Sequence, residues 1–143
     1  MSVLEQVQAD VRTAMKAGDR DRAGALRMVV DALQKDAKLG DGDEVAVLQR
    51  ERKKRLEAAE AYGEAGRAEQ ASTENFEAEL IEGYLPQQLS DDELAELVDA
   101  AVAETGASEQ KQMGQVMGAL MPKLGGRADG KRVSAAVRER LGA

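Results

Sequence analysis

Hydrophobic residues recur at the three- and four-residue spacing of amphipathic helices along most of the chain. In the first segment, which follows Ser2, they are Leu4, Val7, Val11 and Met15. In the second segment, which follows Asp19 and stops at Gly40, they are Ala23, Leu26, Val29, Val30, Leu33 and Ala37. Serine and aspartate are residue types that cap helix N-termini. The pattern therefore predicts two helices joined by a short turn near Gly18.

Glu44 opens a longer and more charged segment with a thin hydrophobic stripe. The stripe consists of Val45, Leu48, Leu56 and Ala59. Glycines at 63 and 66 interrupt it, and a turn there would send residues 68–84 back alongside. The residues of the returning segment predicted to face inward are Phe76, Leu80, Ile81 and Tyr84. Residues 1–86 are therefore predicted to form an antiparallel helical bundle.

Pro86 marks the predicted domain boundary, because a proline disfavours helix in the residue before it. Ser90 and Glu93 then have the spacing of a capping box, which predicts a new helix. Three short helices are predicted in residues 87–143, the second capped by Ser108 and ended by Pro122, the third capped by Asp129. Their inward residues are predicted to be Leu94, Leu97, Val98, Ala101 and Val102, then Met113, Val116, Met117, Leu120 and Met121, then Val133, Ala136, Val137 and Leu141. The predicted fold class is all-α, an N-terminal antiparallel bundle plus a small three-helix C-terminal domain.

Composition excludes several classes of chemistry. The chain contains no cysteine and no histidine, so disulfides, thiolate nucleophiles, histidine zinc sites and histidine acid-base catalysis are all excluded. Neither a metal site nor a cofactor is predicted. The N-terminus is acidic and no stretch reaches the roughly 18 apolar residues of a membrane span, so we expect a cytoplasmic protein without a membrane partner. The formal charge of -7 also argues against DNA as a partner.

Gly125 to Lys131 matches the Gly-x-x-x-x-Gly-Lys spacing of a phosphate-binding loop. A working loop also needs a preceding strand and a Ser or Thr after the lysine. Here the preceding segment is helical in pattern and Arg132 follows the lysine. We therefore predict no nucleotide site, and assign Gly125, Gly126 and Gly130 to a structural turn between two helices.

The distribution of charge is more informative than its sum. Arg50 to Arg55 holds five cations in six residues, but nearby glutamates favour a solvated helix face with internal ion pairs over a phosphate site. Ser90 to Gln110 holds seven acids and no cation, whereas residues 111–143 hold seven cations against Asp129 and Glu139. A basic turn beside a helix start can contact RNA phosphates, although a simply solvated basic face is the alternative. The candidate RNA-binding residues are Lys111, Lys123, Arg127, Lys131 and Arg132.

Methionines at 113, 117 and 121 share one helical face. Such a stripe can serve as an adaptable binding surface, but ordinary core packing is the favoured interpretation.

Three segments, YLPQQLSDDEL (84–94), ETGAS (104–108) and MGQVMGALMPKLGGRADGKRV (113–133), resemble the GatB/YqeY family in their order and spacing. The resemblance extends to LRMVVDALQ and RERKKRLEAAEAYGEAGR nearer the N-terminus, and it is to the stand-alone YqeY-like proteins. It implies the same two-part helical fold. A similar tail occurs in the B subunit of the glutamine-dependent aspartyl/glutamyl-tRNA amidotransferase, where it recognises tRNA.

The resemblance therefore implies an accessory protein that binds tRNA, or a tRNA–amidotransferase or synthetase complex, through its C-terminal domain. The family is labelled with carbon–nitrogen ligase activity using glutamine as the amide donor. That activity resides in an amidase subunit and in a catalytic part that precedes the tail, and 143 residues have room for neither. We thus expect no catalysis by this chain alone and name no catalytic residue. The alternative function is a protein–protein adaptor that does not touch RNA. A third hypothesis is an enzyme in its own right, which would have to work with carboxylates, lysines, serine and threonine alone.

Overall fold

A computed structural model describes residues 1–40 and 42–142 of the chain. Within these residues the backbone forms seven α-helices and one short 3-10 helix, and no strand, which confirms the all-α fold class. The helices are α1 (Val3–Lys16), α2 (Arg20–Leu39), α3 (Glu44–Glu64), α4 (Ala68–Glu82), α5 (Asp91–Thr105), the 3-10 helix (Gln110–Gln112), α6 (Met113–Leu124) and α7 (Gly130–Arg140). They group into two compact units, Met1–Leu85 and Pro86–Ala143, here called the N-terminal and C-terminal units.

The N-terminal unit packs two helical hairpins, α1–α2 and α3–α4, around one aliphatic core. The buried residues of this core are Val7, Val11, Leu26, Val29, Leu33, Val47, Leu48 and Ile81. Ser2 and Asp19 cap α1 and α2 as predicted, each side chain accepting a backbone N–H three residues on. Glu44 links the two hairpins, because its carboxylate accepts the N–H groups of Val3 and Leu4 at 3.1 and 2.9 Å. The start of α1 is thereby fastened to the start of α3.

Some residues of the N-terminal unit face outward where the pattern predicted burial. Met15 is 54% exposed and Ala14 is buried in its place. Leu56 and Phe76 are each 37% exposed. The physical reason is helical drift: two steps of four residues turn a side chain by about 80° from its starting face, whereas seven residues turn it by only about 20°. Ala14 lies seven residues after Val7.

The same drift places a charged residue inside the α3–α4 hairpin. Arg55 lies seven residues after the buried Leu48 and is only 6% exposed. One guanidinium nitrogen, Nη1, donates to Glu51 Oε1 at 2.7 Å, and Nε lies 3.5 Å from Glu77 Oε2. The predicted ion pairing of the 50–55 run is therefore present, but the prediction of a wholly solvated face is wrong at Arg55.

The two carboxylates around Arg55 respond differently to burial. At Glu51, burial alone would raise the pKa, but hydrogen bonds from Arg55 and Lys54 outweigh it and hold the pKa below its ordinary value. At Glu77, burial and the neighbouring Glu74 carboxylate hold the pKa above its ordinary value, because Arg55 compensates only in part. The distances explain the difference, since the guanidinium lies closer to Glu51 than to Glu77.

The C-terminal unit has a core without any aromatic residue. Its buried members are Leu89, Leu94, Val98, Ala101, Val102, Ala107, Val116, Leu120, Leu124, Ala128, Val133, Val137 and Leu141. The predicted capping box opens α5: Ser90 Oγ accepts the Glu93 N–H at 3.1 Å, and Glu93 Oε1 accepts the Ser90 N–H at 3.0 Å. The backbone hydrogen bond, followed by the side-chain one, holds the pKa of Glu93 below its ordinary value.

Two boundaries of the second C-terminal helix differ from the prediction. Ser108 does not cap it: the Gln112 side-chain oxygen accepts the N–H groups of Ser108 and Glu109, which forms a 3-10 turn, and α6 begins at Met113. Pro122 does not end it either, since α6 continues to Leu124. Proline at this position removes one donor, whose usual acceptor would be the Gly118 carbonyl. Gly118 and Pro122 are both exposed, so the loss falls on the solvent side of the helix.

The methionine stripe of α6 belongs mainly to this core. Met113 and Met117 pack against it and are only partly exposed, whereas Met121 is 38% exposed. Core packing, the favoured interpretation of the stripe, therefore holds for two of the three residues.

Candidate nucleic-acid interface

The candidate RNA-binding residues surround the turn between α6 and α7. Gly125 and Gly126 have φ angles of 55° and 81°, a region that other residues rarely adopt. Asp129 then caps α7 by accepting the Arg132 N–H at 2.8 Å. Helix α6, and not a strand, precedes this turn, so the geometry of a nucleotide-binding loop is not present. Gly130 lies outside the turn, as the first residue of α7.

Arg127 has a structural task within this turn. Its Nε donates to the Leu124 carbonyl at 2.9 Å and its Nη2 to the Lys123 carbonyl at 3.1 Å. Both carbonyls lie in the last turn of α6, where a cation satisfies unpaired acceptors and complements the helix dipole. The Arg127 carbonyl also accepts the Leu89 N–H at 2.8 Å. Arg127 therefore holds the end of α6 in place, and a substitution there would disturb the fold as well as any ligand contact.

Three other candidates form ion pairs with acidic side chains of the same unit. Lys123 Nζ lies 2.6 Å from Glu104, Arg132 lies 2.8 Å from Asp91, and Lys111 lies 3.1 Å from Glu109. The side chains of these ion pairs are mostly exposed, and an exposed ion pair contributes about 0–1 kcal/mol to the stability of the fold. A phosphate group can therefore replace the carboxylate at little cost.

Helix α7 presents one cationic face that has no acidic partner. Lys131 and Arg138 are exposed, and neither forms an ion pair with any residue that the structure describes. They are seven residues apart, so they lie within about 20° of each other and about 10 Å apart along the helix axis. Ser134 lies between them on the same side. We call Lys131, Ser134 and Arg138 the cationic α7 face; Arg138 was missed as a candidate, although its seven-residue spacing from Lys131 was a usable signal.

A groove of about 690 Å³ runs between α5 and α7. Leu94 and Val98 contribute its apolar floor, and two ion pairs lie along it. One is the Arg132–Asp91 pair described above, and the other joins Arg140 to Asp99 at 2.6 Å. Arginine and aspartate thus alternate across the groove, which gives it no strong charge of either sign.

The sequence match decides the family. Residues 4–141 match the family described as Yqey-like protein. The chain belongs to the YqeY family. The match spans nearly all residues of both units of this YqeY-family chain, and the resemblance stated from the sequence is confirmed at the level of the stand-alone family. Among curated proteins, none matches the chain significantly.

Two further findings bear on the chemistry of this YqeY-family protein. Across residues 1–40 and 42–142, no three acidic side chains come close enough together to hold a metal ion. No helix among the same residues is long and apolar enough to cross a membrane.

Proposed function

We propose that this YqeY-family protein binds structured RNA, and tRNA in particular, through the cationic α7 face of its C-terminal unit. The observation that carries the proposal is the pair of exposed cations, Lys131 and Arg138, on one side of α7 without acidic partners. Two lysine or arginine side chains held at a fixed spacing on a rigid helix suit successive contacts to a phosphate backbone. tRNA as the RNA class comes from the resemblance to the amidotransferase B-subunit tail.

The neighbouring cations supply a second set of contacts in this proposal. Lys123 and Arg132 exchange their carboxylate partners for phosphates as RNA approaches, because their ion pairs are exposed and weak. Arg127 contributes positive charge from its fixed position at the end of α6. The protein has an accessory role, delivering or holding tRNA for an amidotransferase or synthetase, and no catalytic step is assigned to it.

The test compares two charge-matched double variants for binding to fluorescently labelled bulk tRNA by anisotropy. Lys131→Glu with Arg138→Glu removes the cationic α7 face. Arg12→Glu with Lys35→Glu makes the same change in net charge on exposed sites of α1 and α2. We expect the first variant to bind about tenfold or more weakly and to lower the slope of log affinity against log salt by about two, one unit for each lost phosphate contact. The second variant should stay within about threefold of wild type.

Equal losses in the two variants would contradict the proposal, because bulk charge and not the α7 face would then control binding. A competition assay tests whether tRNA is preferred over unstructured RNA. Unlabelled tRNA should displace the labelled tRNA at a lower nucleotide concentration than poly(U) does. If poly(U) competes equally well, tRNA is not the preferred class.

A further inference from the structure

The negative charge of the protein is concentrated in one part of the α3–α4 hairpin. Residues 56–82, here called the distal hairpin, contain eight acidic residues and a single cation, Arg67. Their net charge of -7 equals that of the whole chain. All other residues together therefore have a net charge of zero, and the distal hairpin accounts for the net negative charge of the chain.

The distal hairpin also lies mostly outside the core. Between residues 56 and 76, Ala59 is the one buried residue. The α3–α4 hairpin contributes Val47, Leu48 and Ile81 to the core of the N-terminal unit, and these residues lie at the start of α3 and the end of α4, away from the turn at residues 65–67. From Leu56 to Phe76 the two helices consequently contact mainly each other, and their remaining faces are open.

Helix α4 carries several acidic side chains, some paired with α3 and some not. It contains five glutamates and no lysine or arginine. Glu77 and Glu82 pair with Arg55 and Arg52 of α3, whereas Glu69 and Glu79 are exposed and form no ion pair with any described residue. Two of the glutamates thus hold the hairpin together, and two others remain available to a ligand.

An exposed aromatic residue lies between these two glutamates. Phe76, the single phenylalanine of the chain, is 37% exposed. Glu69 precedes it by seven residues and Glu79 follows it by three, so the three side chains lie within about 80° of one another on α4. We call Glu69, Phe76 and Glu79 the outer α4 face. Protein–protein interfaces are enriched in aromatic residues, phenylalanine among them, and have polar rims.

We propose that the outer α4 face docks a cationic amphipathic helix of a partner protein. Phe76 contacts the apolar side of that helix, and Glu69 and Glu79 pair with lysines or arginines that flank it. Charge complementarity selects this occupant: RNA phosphates are repelled by a segment of net charge -7, and so is the same segment of a second copy. The apolar contact is small, so binding depends strongly on charge and weakens with salt.

This inference concerns a different unit from the RNA proposal and does not rest on it. A protein with RNA on the C-terminal unit and a basic partner helix on α4 would bring the two ligands onto one molecule. Each of the two proposals can fail while the other holds.

The probe is a synthetic 18-residue helical peptide with lysines on one side and leucines on the other. It is titrated into the full-length ¹⁵N-labelled chain, and amide shifts locate the contact. Two control peptides accompany it, one with glutamate in place of lysine and one with serine in place of leucine. We expect the Lys/Leu peptide to shift amides mainly within residues 65–82, the Glu/Leu peptide to shift none, and the Lys/Ser peptide to bind at least about tenfold more weakly.

Matched variants identify the side chains responsible. Phe76→Ala should weaken Lys/Leu binding by about tenfold, whereas Met28→Ala, which truncates a side chain of α2 that is 50% exposed, should change it less than twofold. Glu69→Gln with Glu79→Gln should weaken binding and flatten its salt dependence. Glu5→Gln with Asp31→Asn, an equal change of charge at exposed sites of α1 and α2, should do neither.

Three results would overturn the proposal. The first is a set of shifts spread over acidic residues throughout the chain, and the second is equal binding of the Lys/Ser peptide. The third is a Phe76→Ala effect no larger than that of Met28→Ala. Because the substituted side chains are all exposed, the variants should retain the wild-type amide spectrum away from the substitution, and that spectrum verifies their folding.

Discussion

Replacing Arg55 with methionine tests the buried charge in the α3–α4 hairpin. Methionine keeps much of the unbranched side-chain volume but leaves Glu51 and Glu77 without their shared cation. Breaking a buried ion pair from one side costs about 3–5 kcal/mol. The two carboxylate side chains retain 14% and 16% exposure, which places the expected loss at the lower end, about 3 kcal/mol at pH 7. A loss of this size lowers the unfolding midpoint of a unit of 60–100 residues by more than about 10 °C.

In the wild-type protein the two glutamates give the stability opposite dependences on pH. Since the pKa of Glu51 is lowered in the folded protein, its contribution is present above its unfolded pKa and is lost as pH falls through the folded value. Since the pKa of Glu77 is raised, its contribution is present below its unfolded pKa and is lost as pH rises through the folded value. Because Arg55 lowers the pKa of both carboxyl groups, its removal raises both pKa values, and the deficit of the variant should shrink between pH 7 and about pH 3.5.

Tyrosine fluorescence reports this experiment selectively. Tyr62 and Tyr84 both lie in the N-terminal unit, and residues 86–143 contain no aromatic side chain. Urea unfolding followed by tyrosine emission therefore measures the unit that contains Arg55, while the far-ultraviolet circular dichroism signal measures both units.

Two variants serve as controls for Arg55→Met. Arg50→Met removes a cation from the same helix whose side chain is 62% exposed and lies 3.6 Å from Asp36, and it should cost less than about 1 kcal/mol. Adding Glu51→Gln and Glu77→Gln to Arg55→Met should recover at least half of the lost stability, since neither carboxylate then remains without the guanidinium that it pairs with in the wild type. A loss below 1 kcal/mol, or no recovery in the triple variant, would refute the reasoning from buried charge.

Two further substitutions test the C-terminal unit. Leu120→Ala removes a side chain with no exposed surface and should cost about 3 kcal/mol, visible as an earlier urea transition by circular dichroism with unchanged tyrosine emission; a shift in both signals would show that the units unfold together. Gly125→Ala forces alanine to a φ of 55° and should cost about 1 kcal/mol in thermal unfolding. Gly130→Ala should cost nothing, because it lies at the first position of α7 and no atom lies within 4 Å of the added methyl group. Equal effects of the two glycine substitutions would contradict the assigned turn.

Local signals predicted the helices and most of their caps. The side chains of Ser2, Asp19, Ser90 and Asp129 each accept the expected N–H, because a capping bond involves residues only three apart and needs no distant partner. The prediction that Ser108 caps α6 was wrong because of another local interaction. The Gln112 side-chain oxygen accepts the N–H groups of Ser108 and Glu109, and a 3-10 turn precedes α6.

The sequence predicted which residues of each helix are buried less well than it predicted the helices themselves. Met15, Leu56 and Phe76 satisfy a hydrophobic spacing, but the neighbouring helices leave them between 37% and 54% exposed. Arg55 shows the converse, a charged residue buried because α4 supplies Glu77 beside it. The residue pattern of one helix does not say where the other helices lie, so the exposure or burial of these side chains is decided only by packing.

The candidate site shows the same division. Composition and spacing located the cations around the glycine turn, but their partners come from distant residues: Glu104 for Lys123 and Asp91 for Arg132. The sequence by itself determined the all-α class, the family, the helix starts and the total charge, because each depends on residue identity or on neighbours along the chain. Only the tertiary structure decided which cations are paired, which are open on α7, and which hydrophobic residues stay exposed on α4, because each depends on helices that meet far apart in sequence.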